Sequence, residues 1–146
     1  NVKGAEWLQK TLGNKYKVHI LDNIYSGVHI DSTISPIREG LVVLNKDRIT
    51  EDNVPAPLKN WDKIWIGKDD LAEQGFTKYP YASNYIGLNF LTLNHHKIVC
   101  DPKQRVLIDK LSKHNVSCIG VDLRHSRTLG GGHHCVTLDL VRENVG

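Results

Sequence analysis

The chain has 146 residues, of which 40% are hydrophobic and 24% charged, and its formal net charge is +3. This length and composition fit one globular domain with a buried core and exclude wholesale disorder. Because the basic residues are scattered along the chain, nucleic acid is not expected as a partner. No apolar run reaches the ~18 residues that span a bilayer, so no membrane is expected as a partner either.

Apolar periodicity predicts an α/β arrangement in the first half of the chain. A helix is predicted over 4–13, where three apolar residues form one stripe, and a strand follows over 16–21. Strands are next predicted over 28–37, 40–45 and 62–67. The segment between the last two strands has room for one short helical turn.

The same order of elements recurs in the second half. Strands are predicted over 87–93 and 97–101, a helix over 103–114, a strand over 116–123 and a final strand over 135–141. The chain therefore repeats a ββαβ module. Two such modules leave sheet edges exposed, which predicts a partner or a missing half that covers them.

The predicted modules divide the chain into parts of one partial domain, residues 1–146. These parts are the end of a preceding module (1–21), a first module (22–67), a loop (68–85), a second module (86–123), and a glycine loop with its closing strand (124–146). The loop over 68–85 is long, polar and aromatic. It is typical of a binding loop, although a plain surface excursion fits it equally well.

Three cysteines, Cys100, Cys118 and Cys135, show no C-x-x-C spacing, which argues against a zinc ribbon or a thioredoxin-type site. Their odd number does not suggest a secreted disulfide framework, so reduced thiols in an intracellular, cytoplasmic setting are expected. Cys100 and Cys118 lie in apolar strand runs and are predicted to be core residues. The adjacent histidine pairs point to opposite faces of a strand, so no metal site is predicted.

Cys135 differs from the other two because it directly follows the run Gly130, Gly131, Gly132, His133, His134. Consecutive glycines allow positive φ angles or a close backbone approach, at an entropic cost. One interpretation is a nucleophilic thiolate at a cleft. The other is a flexible turn followed by a buried, inert cysteine, and the glycine run alone favours that second interpretation.

His29 and Asp31 add a second constellation. In a strand, both side chains would project from one face and Ile30 from the other, as in the wall of a polar cleft. A solvent-facing edge strand would show the same alternation. Together with Cys135, however, the pair supplies a nucleophile, a base and a carboxylate, the set needed for covalent catalysis.

Five ordered motifs extend this constellation along the chain: 4–8 (GAEWL), 16–20 (YKVHI), 29–33 (HIDST), 40–48 (GLVVLNKDR) and 129–135 (LGGGHHC). In order and spacing they resemble the C-terminal half of the arginine:glycine amidinotransferase family, within the pentein-type enzymes that modify guanidines. The resemblance implies a five-module α/β propeller around a central cleft, of which this chain would supply about half.

The resemblance also implies the roles of individual residues. The nucleophile of the family falls on Cys135 and its catalytic histidine on His29, while Asp31 matches a carboxylate that grips the guanidinium group. Gly130, Gly131, Gly132 and His134 form the loop that supports the nucleophile.

Two further residues of the implied site would bind substrate. Arg48 matches an arginine that clamps a substrate carboxylate, and Ser83 matches the second of two neighbouring serines. Ala82 stands in place of the first serine, so the fine substrate specificity departs from the pattern of the family.

The implied activity is transfer of the amidino group of arginine to an amine such as glycine, through a covalent cysteine intermediate and without a cofactor. A guanidine hydrolase would use the same residues, and a non-catalytic structural module is the other alternative. Members of the family are well over twice this length, and their catalytic aspartate lies upstream of the matching segment. We therefore expect an N-terminal half or a partner chain to complete the enzyme, as part of an oligomer.

Overall fold

A computed structural model describes residues 1–21, 24, 29–73 and 81–141. It confirms the α/β class through two three-stranded sheets of identical topology. The first sheet consists of β1 (Ile34–Arg38), β2 (Leu41–Asn45) and β3 (Asp62–Ile66), and the second of β4 (Leu91–Asn94), β5 (Lys97–Cys100) and β6 (Ser117–Gly120). In each sheet the first two strands are antiparallel and the last two are parallel.

The two helices are α1 (Val2–Leu12) and α2 (Arg105–Ser112). The second helix makes the crossover between the parallel strands β5 and β6, as predicted. The crossover between β2 and β3 contains only a 3₁₀ turn, Ala56–Leu58, in the place where a short helical turn was expected. Each module therefore has the same strand order, with a full helix in the second module only.

The sequence explains the strands that form. Every residue of β2 is buried, because this apolar strand lies at the centre of its sheet. Gly40 forms the tight turn before it with a φ of 82°, a left-handed value that favours glycine. The edge strand β1 contains Pro36, which cannot donate to a further strand.

One hydrophobic core joins the two sheets. Ile37, Val43 and Ile66 from the first sheet pack in the same buried cluster as residues of the second module. From α2, Leu107 and Leu111 complete this cluster and are fully buried. The face that carries β1 therefore lies beside β4, and this junction positions the site described below.

Two predicted strands are shorter than expected. The strand predicted over 28–37 begins only at Ile34, because the N–H groups of Thr33 and Ile34 both donate to the Ile30 carbonyl and close a turn at 2.8 and 2.9 Å. The prediction that His29 and Asp31 share a strand face is therefore wrong. The strand predicted over 87–93 begins at Leu91, since Ile86–Leu88 forms a 3₁₀ turn.

Two other predicted strands are wrong for the described residues. The segment 16–21 is extended but has no strand partner, and over 135–141 the chain continues from a turn without forming a strand. A strand requires a neighbour for its backbone N–H and C=O groups, and neither segment finds one within the described part of the chain. The loop residues 74–80 and the segment 142–146 lie outside the described residues. Among the helices of the described ranges, none has both the length and the apolar character needed to cross a membrane.

Candidate active site

Asp31, His134 and Cys135 meet at one carboxylate oxygen. The Nδ1 atom of His134 lies 3.0 Å from Oδ2 of Asp31, and the Cys135 thiol donates to the same oxygen at 3.7 Å. The side chains of His134 and Cys135 are exposed, whereas that of Asp31 is 24% exposed. The structure therefore brings together a thiol and a carboxylate that are 104 positions apart in the sequence.

The glycine loop places Cys135 here for steric reasons. Gly130 has a φ of 87° and lies against the backbone of Tyr81. A Cβ atom on Gly132 would lie 2.6 Å from Oδ1 of Asn89, which is closer than real Cβ contacts allow. The glycine run therefore follows a path that side chains would block.

The loop is anchored on both sides of Cys135. The N–H of His134 donates to the carbonyl oxygen of Asn89 at 3.2 Å, and the N–H of Cys135 donates to its Oδ1 at 3.1 Å. The ring Nε2 of the buried His133 lies 2.7 Å from the carbonyl oxygen of Val121. Thr137 then donates its hydroxyl to the carbonyl of His134 at 2.9 Å. These contacts fix the backbone around an exposed thiol.

His29, the predicted catalytic histidine, lies two residues before Asp31 and is exposed. Within the described residues its ring forms no hydrogen bond or ion pair, so its approach to Cys135 stays a prediction. The imidazole beside Asp31 is instead that of His134, which the sequence analysis assigned to the supporting loop.

Arg48 is held against the turn that carries Asp31. Its Nη1 donates to Oγ1 of Thr33 at 2.6 Å and to Oγ of Ser32 at 3.2 Å. Its guanidinium also lies over the ring of Tyr85, 4.4 Å from the ring centroid, in a cation–π contact. Arg48, the predicted carboxylate clamp, is thus held against the turn that carries Asp31, the predicted guanidinium ligand.

Ser83 enters the same cluster through Tyr85. Its Oγ accepts the N–H of Tyr85 at 3.2 Å. Burial raises the pKa of Tyr85, and the charge of Asp47, to which its hydroxyl is hydrogen-bonded, raises it further. The structure therefore links Ser83 to Arg48 by way of one residue, Tyr85, whose backbone contacts Ser83 and whose ring contacts Arg48; Ala82 directly precedes Ser83 in the chain.

Sequence reasoning missed two residues of this arrangement, Asn89 and Tyr85. Asn89 lies in an apolar run that was predicted as strand, and the signal available there was an asparagine, a residue type that strands disfavour. Tyr85 was visible only as one of several aromatic residues in the loop. Neither position revealed its partner, because Gly132 and Arg48 are distant in the sequence.

A groove of about 280 Å³ opens beside the carboxylate. It runs between β1 and β4, with Asp31 and His134 at one end. Its remaining walls come from the two strands and from the residue just before β4: Ile34, Ser35, Pro36, Ile37, Phe90, Leu91 and Thr92. A carboxylate beside a wall of mixed apolar and hydroxyl side chains can receive a cationic head group on a short chain.

The other two cysteines are positioned differently. Cys100 is buried and Cys118 is half-buried, on neighbouring strands of the second sheet, and both pack at the hydrophobic core. The hydrogen bond that Cys100 shares with Cys118, together with burial, raises the pKa of the Cys100 thiol. Over the described ranges, no group of three His, Cys, Asp or Glu side chains, the set Asp31, His134 and Cys135 included, is arranged so that it could hold a metal ion.

Comparison with known proteins shows which enzymes the chain is similar to. It is 45% identical over 143 residues to inosamine-phosphate amidinotransferase 1 of Streptomyces glaucescens, covering 97% of this chain and 40% of the relative. It is 30% identical to the L-arginine:L-lysine amidinotransferase of Pseudomonas savastanoi pv. phaseolicola, covering 97% and 38%. It is also 30% identical to the mitochondrial glycine amidinotransferase of Xenopus laevis, covering 99% and 34%. No protein-family model matches the sequence.

The fold gives the same result. The inosamine-phosphate amidinotransferase StrB1 of Streptomyces griseus superposes with a TM-score of 0.90 at 42% identity, over 99% of this chain and 41% of that structure. The chain thus spans about two fifths of the length of the relatives that it matches. In sequence and in fold, it is similar to the C-terminal half of the amidinotransferases.

Proposed function

We propose that this chain carries the nucleophile and part of the substrate site of an arginine amidinotransferase. The observation that supports this most directly is the contact of 3.7 Å between the Cys135 sulfur and the Asp31 carboxylate. A thiol next to a carboxylate is suited to a cationic electrophile, because the carboxylate holds the cation while the sulfur attacks it. The guanidinium group of arginine is such an electrophile.

Asp31 and Arg48 would bind the two ends of arginine. The carboxylate of Asp31 can accept two parallel N–H bonds from the guanidinium group and fix its plane. Arg48 donates to Thr33, which lies in the same turn as Asp31, and stacks on Tyr85. It can pair with the α-carboxylate. The groove beside Asp31 would accommodate the aliphatic part of the substrate.

Chemistry would then proceed in two halves. The Cys135 thiolate attacks the guanidinium carbon, and the bond from that carbon to the side-chain nitrogen breaks. The departing amine of ornithine takes a proton from His29, which leaves an amidino-thioether on Cys135. An acceptor amine, deprotonated by His29, attacks this carbon in turn and the thiolate leaves. No step requires an organic cofactor.

The acceptor would be a primary amine. The names of the relatives include an inosamine phosphate, lysine and glycine, each of which has an amino group. We therefore assign the acceptor class and keep glycine as the acceptor that the sequence motifs imply. Ala82 is the position at which the chain departs from that implied site.

A second polypeptide segment would complete the enzyme. Two sheets of identical topology support two modules of the proposed five-module propeller. Two modules of five are the same proportion as the roughly 40% of the relatives' length that the chain matches. The missing segment would supply the aspartate that orients His29. Losing such an orienting carboxylate costs on the order of 10⁴ in rate, so this chain alone should turn over slowly.

The test is formation of the covalent intermediate. The protein is incubated with arginine, and intact mass with peptide mapping locates any added amidino group, with Cys135→Ser as the matched variant. We expect ornithine release and one adduct on Cys135, stronger when an N-terminal segment of a relative is added. Release of citrulline would favour the hydrolase. An adduct on Cys100 or Cys118 would refute the proposal. So would the absence of any adduct both with and without the added segment.

A further inference from the structure

Asn89 is a buried polar residue, 2% exposed, at the junction between the 3₁₀ turn Ile86–Leu88 and β4. Its backbone, with a φ of −84° and a ψ of 59°, departs from strand geometry at the point where β4 was predicted to continue. This bend turns the residue towards the glycine loop. A buried amide requires partners, and here the loop supplies them.

The partners are the backbone amides of two consecutive loop residues. Oδ1 of Asn89 accepts the N–H of Cys135 at 3.1 Å, and its main-chain oxygen accepts the N–H of His134 at 3.2 Å. One residue therefore fixes the backbone from which the candidate nucleophile projects. Its fit is also steric, since a Cβ atom on Gly132 would lie 2.7 Å from Cβ of Asn89.

The chemical type of the acceptor matters as much as its position. An aspartate side chain has the same shape as asparagine and would accept the same hydrogen bond from the N–H of Cys135. It would, however, add a negative charge next to Cys135. The thiol already faces Asp31 at 3.7 Å. A second carboxylate would disfavour the thiolate, the form that reacts. The neutral amide anchors the loop without that electrostatic cost.

We infer that Asn89 is a positioning residue for Cys135: its amide holds the Cys135 backbone so that the sulfur faces Asp31, and its neutrality adds no second negative charge beside that sulfur. The consequence for catalysis rests on the proposed function. The effect on the reactivity of the thiol does not, because it can be measured without turnover.

The experiment follows alkylation of Cys135 by iodoacetamide as a function of pH, with peptide mapping. In Asn89→Asp we expect alkylation at pH 7 to slow by about tenfold and its pH midpoint to move upward, because one charge a few ångströms away has an effect of this order. The matched control is Asn94→Asp at the far end of β4, whose Oδ1 also accepts a backbone N–H, from His96 at 2.9 Å. This control should react like the unmodified chain.

A second variant tests the anchor without a charge. Asn89→Ala removes Oδ1, so amide hydrogen exchange of the peptide 130–137 should accelerate about tenfold or more while exchange in β5 stays unchanged. Unaltered alkylation in Asn89→Asp, or unaltered exchange in Asn89→Ala, would overturn the inference. Absence of an arginine adduct both with and without the added N-terminal segment would refute the proposed function and leave this result untouched.

Discussion

Asp31→Asn should make Cys135 more reactive and, in the same protein, remove its protection by arginine. The carboxylate oxygen lies 3.7 Å from the sulfur. At that distance two unit charges repel by ~1 kcal/mol in water and by ~4 kcal/mol at an effective dielectric constant of 20. Asp31 is partly exposed and Cys135 is exposed, so the repulsion between the carboxylate and the thiolate should lie near the value for water, at ~1–2 kcal/mol.

An energy of this size corresponds to alkylation that is about 5–30-fold faster at neutral pH. The assay is the rate of iodoacetamide modification of Cys135, a neutral reagent whose own charge does not bias the comparison. The difference should shrink at high salt, because exposed charges are screened. Asp109→Asn, an exposed carboxylate on α2, is the matched control and should leave the rate unchanged.

The second half of the prediction distinguishes an electrostatic role from a binding role. In the unmodified chain, arginine should protect Cys135 from alkylation by occupying the Asp31 carboxylate. In Asp31→Asn the same arginine concentration should protect little, although the thiol itself reacts faster. A slower or unchanged alkylation rate would show that the carboxylate does not act on the sulfur, and undiminished protection would show that it does not hold the guanidinium group.

Two further predictions concern the surroundings of the site. Tyr85→Leu should raise the arginine concentration that protects Cys135 by about 2–5-fold, because it removes the ring beneath Arg48. In Tyr85→Phe, arginine should protect Cys135 at the normal concentration. Equal behaviour of the two variants would contradict the stacking role. For Asp70, burial raises the pKa, but hydrogen bonds from Lys46 and a backbone amide outweigh it and leave the pKa lowered. This group therefore stabilises the fold above its unfolded pKa of about 3.8, and the stabilisation is lost as pH falls through the folded value. Asp70→Asn should have a lower urea midpoint at pH 7, and this difference should shrink as pH falls below 3.8; a difference that stays constant would contradict this ionic role.

The sequence predicted best those strands whose pairing partners are nearby. Mostly apolar runs at 41–45 and 97–100 became β2 and β5, because each is the central strand of its sheet and pairs on both sides with strands nearby in the sequence. The crossover helix α2 was predicted from its apolar stripe for the same reason. Local pattern and local packing agree in these elements, so one indicates the other.

The candidate site was predictable in its chemistry but not in its geometry. A nucleophile and a carboxylate were selected by residue type, and the structure brings Cys135 and Asp31 into contact. The argument from strand alternation was wrong, however, since Asp31 lies in a turn. His134 and Asn89 acquired their places from tertiary packing between segments more than 40 positions apart, which no periodicity encodes.

The segment after Cys135 shows why alternation alone does not make a strand. Val136, Leu138 and Leu140 alternate with polar residues, and their side chains are 53%, 82% and 87% exposed. A strand is a property of a pair, since its backbone groups need a neighbour and its apolar face needs a surface to cover. The proposed second segment would supply both. Because this stretch directly continues the loop held by Asn89, pairing it would fix the chain on the far side of Cys135 as well. Completing the sheet and completing the proposed active site would then be one structural event, which gives a physical reason why the two halves of such an enzyme should be fully active only together.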